Sequence, residues 1–194
     1  ARVAPLGLDI LEVPISGTSA SVESGNAVGL VGGHTEHIAA AADLLAAICP
    51  CYFDMGAVGN GGRTKLAVNL IVGLNRAAMA EGLVLAERMG LPLEAFLTAA
   101  RGSAAYAQVM DTKGPKMVAG DFEPHGRIRQ SLKDFTLITG EAAKHGQALA
   151  MAEAYLAYMQ GCIAAGEAEW DNAAVIEDVR RHGPAATAPR PARR

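Results

Sequence analysis

The sequence predicts a mainly helical protein with a partial α/β unit at its start. Three observations carry that expectation. Short β-rich runs closed by glycine, at residues 10–16, 27–33 and 51–55, alternate with helical pattern near the N-terminus. Beyond Thr64 the apolar residues recur at helical spacing, and no strand-like alternation returns. The change of character falls at a glycine cluster, Gly56, Gly59, Gly61 and Gly62. Residues 1–55 are therefore expected to form the α/β unit and 56–182 a helical domain. Residues 183–194, rich in Pro, Ala and Arg, have too little apolar matter to fold and are expected to be a disordered tail.

Taken in order, residues 10–16 read as a first strand ended by Gly17, and 27–33 as a second stopped by two glycines. Residues 34–48 read as an Ala-rich helix, with Thr35 and Glu36 suited to its first turn and Pro50 at its end. A third short strand follows at 51–55. Gly59, Gly61 and Gly62 then read as a flexible approach to one long helix over 64–89, stopped by Gly90. That helix would be ~38 Å long. It is apolar nearly all round, so burial from several sides is expected, by sister helices or by a partner subunit. Shorter helices are predicted to Ala100, over 103–119 with a break or bend at Gly114-Pro115, over 127–145 with Leu132, Phe135 and Ile138 near one face, over 148–165, and over 173–181.

Composition narrows the function. Of 194 residues, 51% are hydrophobic and 19% charged, which describes a folded chain. A formal net charge of −3 gives no electrostatic case for nucleic acid or an anionic membrane. Three cysteines, Cys49, Cys51 and Cys162, cannot close a disulfide framework, and Cys49-Pro50-Cys51 is too tight for a zinc pair. They read as ordinary thiols of a reduced cytoplasmic chain. No signal peptide is visible. Arg76 and Glu81 interrupt the longest apolar run, so a membrane span is not expected. With no initiator methionine and a strand within ten residues of the start, the sequence reads as a piece of a longer protein.

Chemistry is expected at a few places. Lys65 and Asn69 lie one helical turn apart and so share a face, at the start of a helix made for burial. Burial and the positive end of the helix dipole both disfavour the charged lysine, which suits a group that exchanges a proton. Read alone, the pair is more readily a lysine reaching solvent beside an exposed amide. The strand over 10–16 ends in Ser16-Gly17-Thr18-Ser19, whose hydroxyls and N–H groups can hold a carboxylate or phosphate; alone it is also an ordinary connection. Lys133-Asp134 in an amphipathic helix reads first as a solvated face. His34 and His37 have no further ligands to complete a metal site, so no metal is expected. Cys162 reads as packing. Neither a phosphate-binding P-loop nor a G-x-G-x-x-G after a strand is present.

The order Glu12-Val13-Pro14-Ile15-Ser16-Gly17, then Gly25 through Val31-Gly32-Gly33, Gly59…Gly62…Lys65…Asn69, Lys133-Asp134 and Asp171-Asn172-Ala173-Ala174-Val175-Ile176 resembles the β-hydroxyacid dehydrogenase family. Hydroxyisobutyrate dehydrogenase and tartronate semialdehyde reductase are familiar members. The resemblance runs from about Leu8 to Arg180. It implies the end of a Rossmann domain that binds NAD or NADP, followed by an all-helical domain like the C-terminal domain of 6-phosphogluconate dehydrogenase. It also implies roles. Lys65 would be the catalytic lysine, and Asn69 would position the substrate. Ser16 and Gly17 would hold its carboxylate with Thr18 alongside, and Lys133 would reach the cofactor. Thr18 stands where the family usually carries a second glycine, and the family's glycine-rich nucleotide loop would precede Ala1.

The expectation is thus an NAD(P)-dependent oxidoreductase acting on a small β-hydroxy acid, homo-oligomeric, a dimer or tetramer, in the cytoplasm. The chain by itself is expected to be inactive. Two alternatives stand beside it: a helical dimerisation module without catalysis, and an imine reductase-like member, against which Lys65 argues.

Overall fold

The computed structural model describes residues 6–17 and 19–182, which excludes Thr18 and the expected tail. The chain divides into two compact units, one up to Asn69 and one from Leu70.

In the first unit, β1 (Ile15–Ser16), β2 (Val28–Val31) and β3 (Cys51–Asp54) form a sheet in that order. β1 pairs antiparallel with β2, placing Ile15 opposite Gly29, and β2 pairs parallel with β3, placing Leu30 opposite Phe53. A backbone bridge between Glu12 and Gly32 continues the β1–β2 register. The expected strand over 10–16 is interrupted because Pro14 has no N–H to give; its carbonyl still accepts from Leu30 (2.9 Å). A short helix, α1 (Ser19–Glu23), joins β1 to β2.

The parallel pair needs a crossover, and the expected helix over 34–48 supplies it in two pieces, α2 (Thr35–Ala40) and α3 (Ala42–Ile48). They part at Ala41, with φ −98° and ψ 10°. Ala41 packs with Leu11, Val13 and Tyr52 on a core of Val31, Ile38 and Leu45.

The long helix, α4 (Asn60–Arg88), begins four residues earlier than the sequence predicts and runs through the division between the units. The supposed flexible approach is therefore helix, for a reason given with the site below. Within one chain the expected burial covers part of the helix surface. Met79, Ala80, Leu83 and Ala86 are buried, while Ile71, Leu85 and Met89 are each 60% exposed. By length and composition α4 is long and apolar enough to cross a membrane. Arg76 and Glu81, which interrupt its apolar run, nonetheless find protein partners on α8 (Ala150–Ala164): Arg76 donates to the Tyr155 hydroxyl (2.8 Å), and Glu81 accepts from the Tyr158 hydroxyl (2.7 Å).

The second unit adds α5 (Leu93–Arg101), α6 (Val109–Ala119), α7 (Ile128–Lys144), α8, a 3-10 turn (Asn172–Ala174) and α9 (Val175–Arg181). Leu83, Leu97, Met117, Ile128, Tyr155, Met159 and Ile176 fill its core. Phe135 meets Tyr155 edge to face at 4.7 Å. Helix α6 starts six residues later than expected. The Ser103 hydroxyl bonds to the Ala100 carbonyl (2.9 Å) and the Ala105 N–H (3.2 Å), a local turn that displaces the helix. At Gly114-Pro115 the helix continues without a break. Pro115 frees the carbonyl of Asp111, and Arg101 donates to it (3.2 Å).

Candidate active site

Where α4 starts, four backbone N–H groups lack partners within the helix. The residue just before it is Gly59, which has no side chain to cap them. A carboxylate from far upstream does so instead. Oε1 of Glu12 accepts from the N–H groups of Gly59 (2.7 Å), Gly61 (2.7 Å) and Gly62 (3.3 Å). The approach needs a bare backbone: a Cβ on Gly61 would collide with the Leu30 carbonyl and lie 3.1 Å from Glu12 Oε1. An anion at this end also complements the helix dipole. The Asn60 side chain donates to the Met55 carbonyl (2.8 Å), a second tie between α4 and the end of β3.

This carboxylate also decides what the turn after β3 can do. A strand, a glycine-rich turn and a helix N-terminus in succession resemble a phosphate cradle. Here the donors are already taken by Glu12, so the turn is closed to a phosphate.

Lys65 and Asn69 sit half-buried on successive turns of α4, on one face. Ser16 is half-buried at the end of β1, four residues beyond Glu12. Gly17 follows, exposed, with φ 148°, a conformation that L side chains rarely adopt. Ser16, Gly17, Lys65 and Asn69 thus all belong to the first unit. Thr18 lies outside the described residues. Lys133 belongs to the second unit; it is exposed on α7 and pairs with Asp134 (3.0 Å). The structure therefore gathers the expected substrate-side residues into one unit and puts the expected cofactor lysine in the other.

Glu12 is the residue that sequence reasoning passed over. Two signals point to it: an acid within the apolar run 10–16, and a donor-rich glycine turn with no acceptor nearby in sequence. Only the fold joins them, across 47 residues.

His37 Nε2 lies 3.2 Å from Asp9, and its ring meets His34 edge to face at 5.5 Å. Among the described residues no group of three His, Cys, Asp or Glu is placed to hold a metal. Burial pushes the Cys162 thiol up to about 12, which keeps it protonated and unreactive. In the second unit, Lys113 Nζ reaches both oxygens of the fully buried Asp171 at 2.8 Å. Burial works to raise Asp171. The Lys113 bond and the N–H groups of Ala173 and His125 outweigh it and hold the carboxyl below its usual range.

Two family models cover nearly the whole chain. Residues 1–56 match the NAD binding domain of 6-phosphogluconate dehydrogenase, and residues 59–179 match the NAD-binding model of NADP-dependent 3-hydroxyisobutyrate dehydrogenase. Among relatives, glyoxylate/succinic semialdehyde reductase 2 of Arabidopsis thaliana is 29% identical over 92% of this chain and 50% of its own length. L-threonate dehydrogenase of Cupriavidus necator is 29% identical over 91% of this chain and 60% of its own. Among solved structures, 3-hydroxyisobutyrate dehydrogenase from Salmonella typhimurium superposes with a TM-score of 0.83 at 24% identity, covering 91% of this chain and 62% of that one. The chain thus spans half to about three-fifths of the length of these relatives. With a mainly helical fold, a small sheet at its start and both models in sequence order, the chain belongs to the β-hydroxyacid dehydrogenase family of NAD- or NADP-dependent oxidoreductases.

Proposed function

We propose that this chain carries the substrate-side residues of an NAD(P)-dependent dehydrogenase acting on a small β-hydroxy acid. One observation supports it above the others. Lys65 and Asn69 stand half-buried on one face of α4, and the start of that helix is held by the same segment that ends in Ser16-Gly17. The relatives named glyoxylate/succinic semialdehyde reductase and L-threonate dehydrogenase act on small acids bearing a carbonyl or a hydroxyl, and the proposed substrate here is of that class.

In this reading the Ser16 hydroxyl and the Gly17 N–H hold the substrate carboxylate, with Thr18 alongside, and Asn69 orients the substrate hydroxyl. Lys65 takes the hydroxyl proton in the oxidative direction and returns it in reduction. The nicotinamide, when bound, exchanges the hydride with the β-carbon. Lys133 gives the cofactor a charged contact. A pyrophosphate cradle is not found among the described residues, since the turn after β3 is occupied by Glu12. The chain by itself is therefore proposed to be inactive. We further propose a domain border near Gly56, a cytoplasmic setting and a homo-oligomeric state. The border is supported by the meeting of the two matched segments there.

Lys65→Ala in the full-length protein tests the central assignment. It should lower kcat by ~100-fold or more, the scale of a positioned acid–base group, with the fold kept. Near-normal turnover of a folded variant would overturn it.

A further inference from the structure

We infer that Glu12 is a positioning residue for Lys65, clamping the first turn of α4 so that the lysine is held at one place relative to Ser16. The inference rests on the reading of Lys65 as the proton-transfer group.

The first turn of α4 is weak by sequence. Gly59, Gly61 and Gly62 contribute no side-chain packing and lose more conformational freedom on ordering than other residues. Left to themselves these residues would fray, and Lys65 begins one turn further on. Gly61 and Gly62 lie four and three residues ahead of it, on its own face of the helix. In a helix the Cα–Cβ bond tilts toward the N-terminus, which for Lys65 is the side of the turn that Glu12 holds.

The clamp itself is fixed. The backbone of Glu12 exchanges two hydrogen bonds with Gly32 (3.0 and 2.9 Å), which anchors it to the edge of β2. From there its carboxylate reaches the N–H groups of Gly61 and Gly62 in α4 and that of Gly59 just before it. Four residues on, the same segment supplies Ser16. One carboxylate therefore ties the proposed proton-transfer residue to the proposed carboxylate-binding turn. It also fills the anion position at the helix N-terminus from inside the protein, leaving the Ser16-Gly17 turn as the place for a substrate carboxylate. Proton transfer is sensitive to such placement: a displacement on the order of 1 Å can cost about 100-fold in rate.

A double-mutant cycle in the full-length protein tests this, with kcat and KM for the acid read alongside thermal unfolding. Glu12→Ala should lower kcat about 10-fold or more while changing KM less than about twofold, as expected for lost transition-state placement. Glu12→Gln keeps an acceptor oxygen but loses the charge, and should restore most of kcat, to about threefold below that of the unsubstituted protein. In the Lys65→Ala background, Glu12→Ala should lower the residual kcat by less than about twofold, because the group it positions is gone. Equal fold losses in both backgrounds, or an unchanged kcat, would overturn the inference. If Glu12→Ala does not fold, Glu12→Gln completes the cycle: a loss of about threefold beside Lys65 and none in the Lys65→Ala background supports the clamp, and any other pattern overturns it. Near-normal turnover of Lys65→Ala alone would remove the lysine reading and the clamp with it. An impaired Lys65→Ala with additive Glu12 effects would remove the clamp only.

Discussion

Asp171 has no exposed surface and accepts from the backbone N–H groups of His125 (2.8 Å), Gly126 (3.2 Å) and Ala173 (2.9 Å) besides Lys113. It joins the loop before α7, the 3-10 turn and α6. Asp171→Asn would leave Lys113 buried without its counter-charge, a change that typically costs about 3–5 kcal/mol. The thermal midpoint at neutral pH should then fall by roughly 6–20 °C. The sign with pH follows from the depressed carboxyl. Its folded value lies below the unfolded one, so its contribution is complete above about pH 4 and is lost as pH falls through the folded value. The midpoints of Asp171→Asn and the unsubstituted protein should therefore draw together as pH falls below the ordinary carboxylate range. Equal midpoints at pH 7 would show that the pair contributes nothing. This pair was not legible in the sequence. Lys113 and Asp171 stand 58 residues apart, and nothing local marks one as the partner of the other. Lys65 and Asn69 were legible because helical spacing alone puts them on one face.

Among the elements, α4 shows what sequence pattern fixes and what it leaves open. Its far end was readable from Gly90, which has φ 75° and stops the helix in the usual way. Its start was not, because glycines mark a loop unless a distant acceptor holds them, and Glu12 does. Its exposed face stays open for a related reason: apolar composition says that a helix is to be buried, not by what. Ile71, Ala78, Leu85 and Met89 recur at helical spacing along one exposed face, within the second unit. Ala78 also lines a cavity of about 340 Å³ with Phe96, Leu97 and Met110. An apolar row of this length is expected to be covered by another copy of the chain. Light scattering on the full-length protein should give a dimer or a higher even state. Leu85→Glu, which puts a charge at the centre of the row, should shift it toward a smaller species. A clean monomer at micromolar concentration before any substitution would count against the contact.

At the scale of the whole chain, the alternation of strand and helix before Gly56 and the helical period after it were enough to place the fold class. Cofactor affinity is a different matter, because it depends on which backbone donors remain free. Dinucleotides are held largely by N–H groups around the pyrophosphate, at the turn from the first strand of a Rossmann sheet into a helix. In this chain the turn that resembles one, from β3 into α4, has given its donors to Glu12. Lys133 offers one exposed charge, already shared with Asp134. The purified chain of residues 1–194 is therefore expected to bind NADH and NADPH weakly or not at all. Titration followed by nucleotide fluorescence measures this directly. Saturable binding with a micromolar Kd would mean that the described residues contain a cradle elsewhere, and the division of labour between substrate-side and nucleotide-side segments would have to be redrawn.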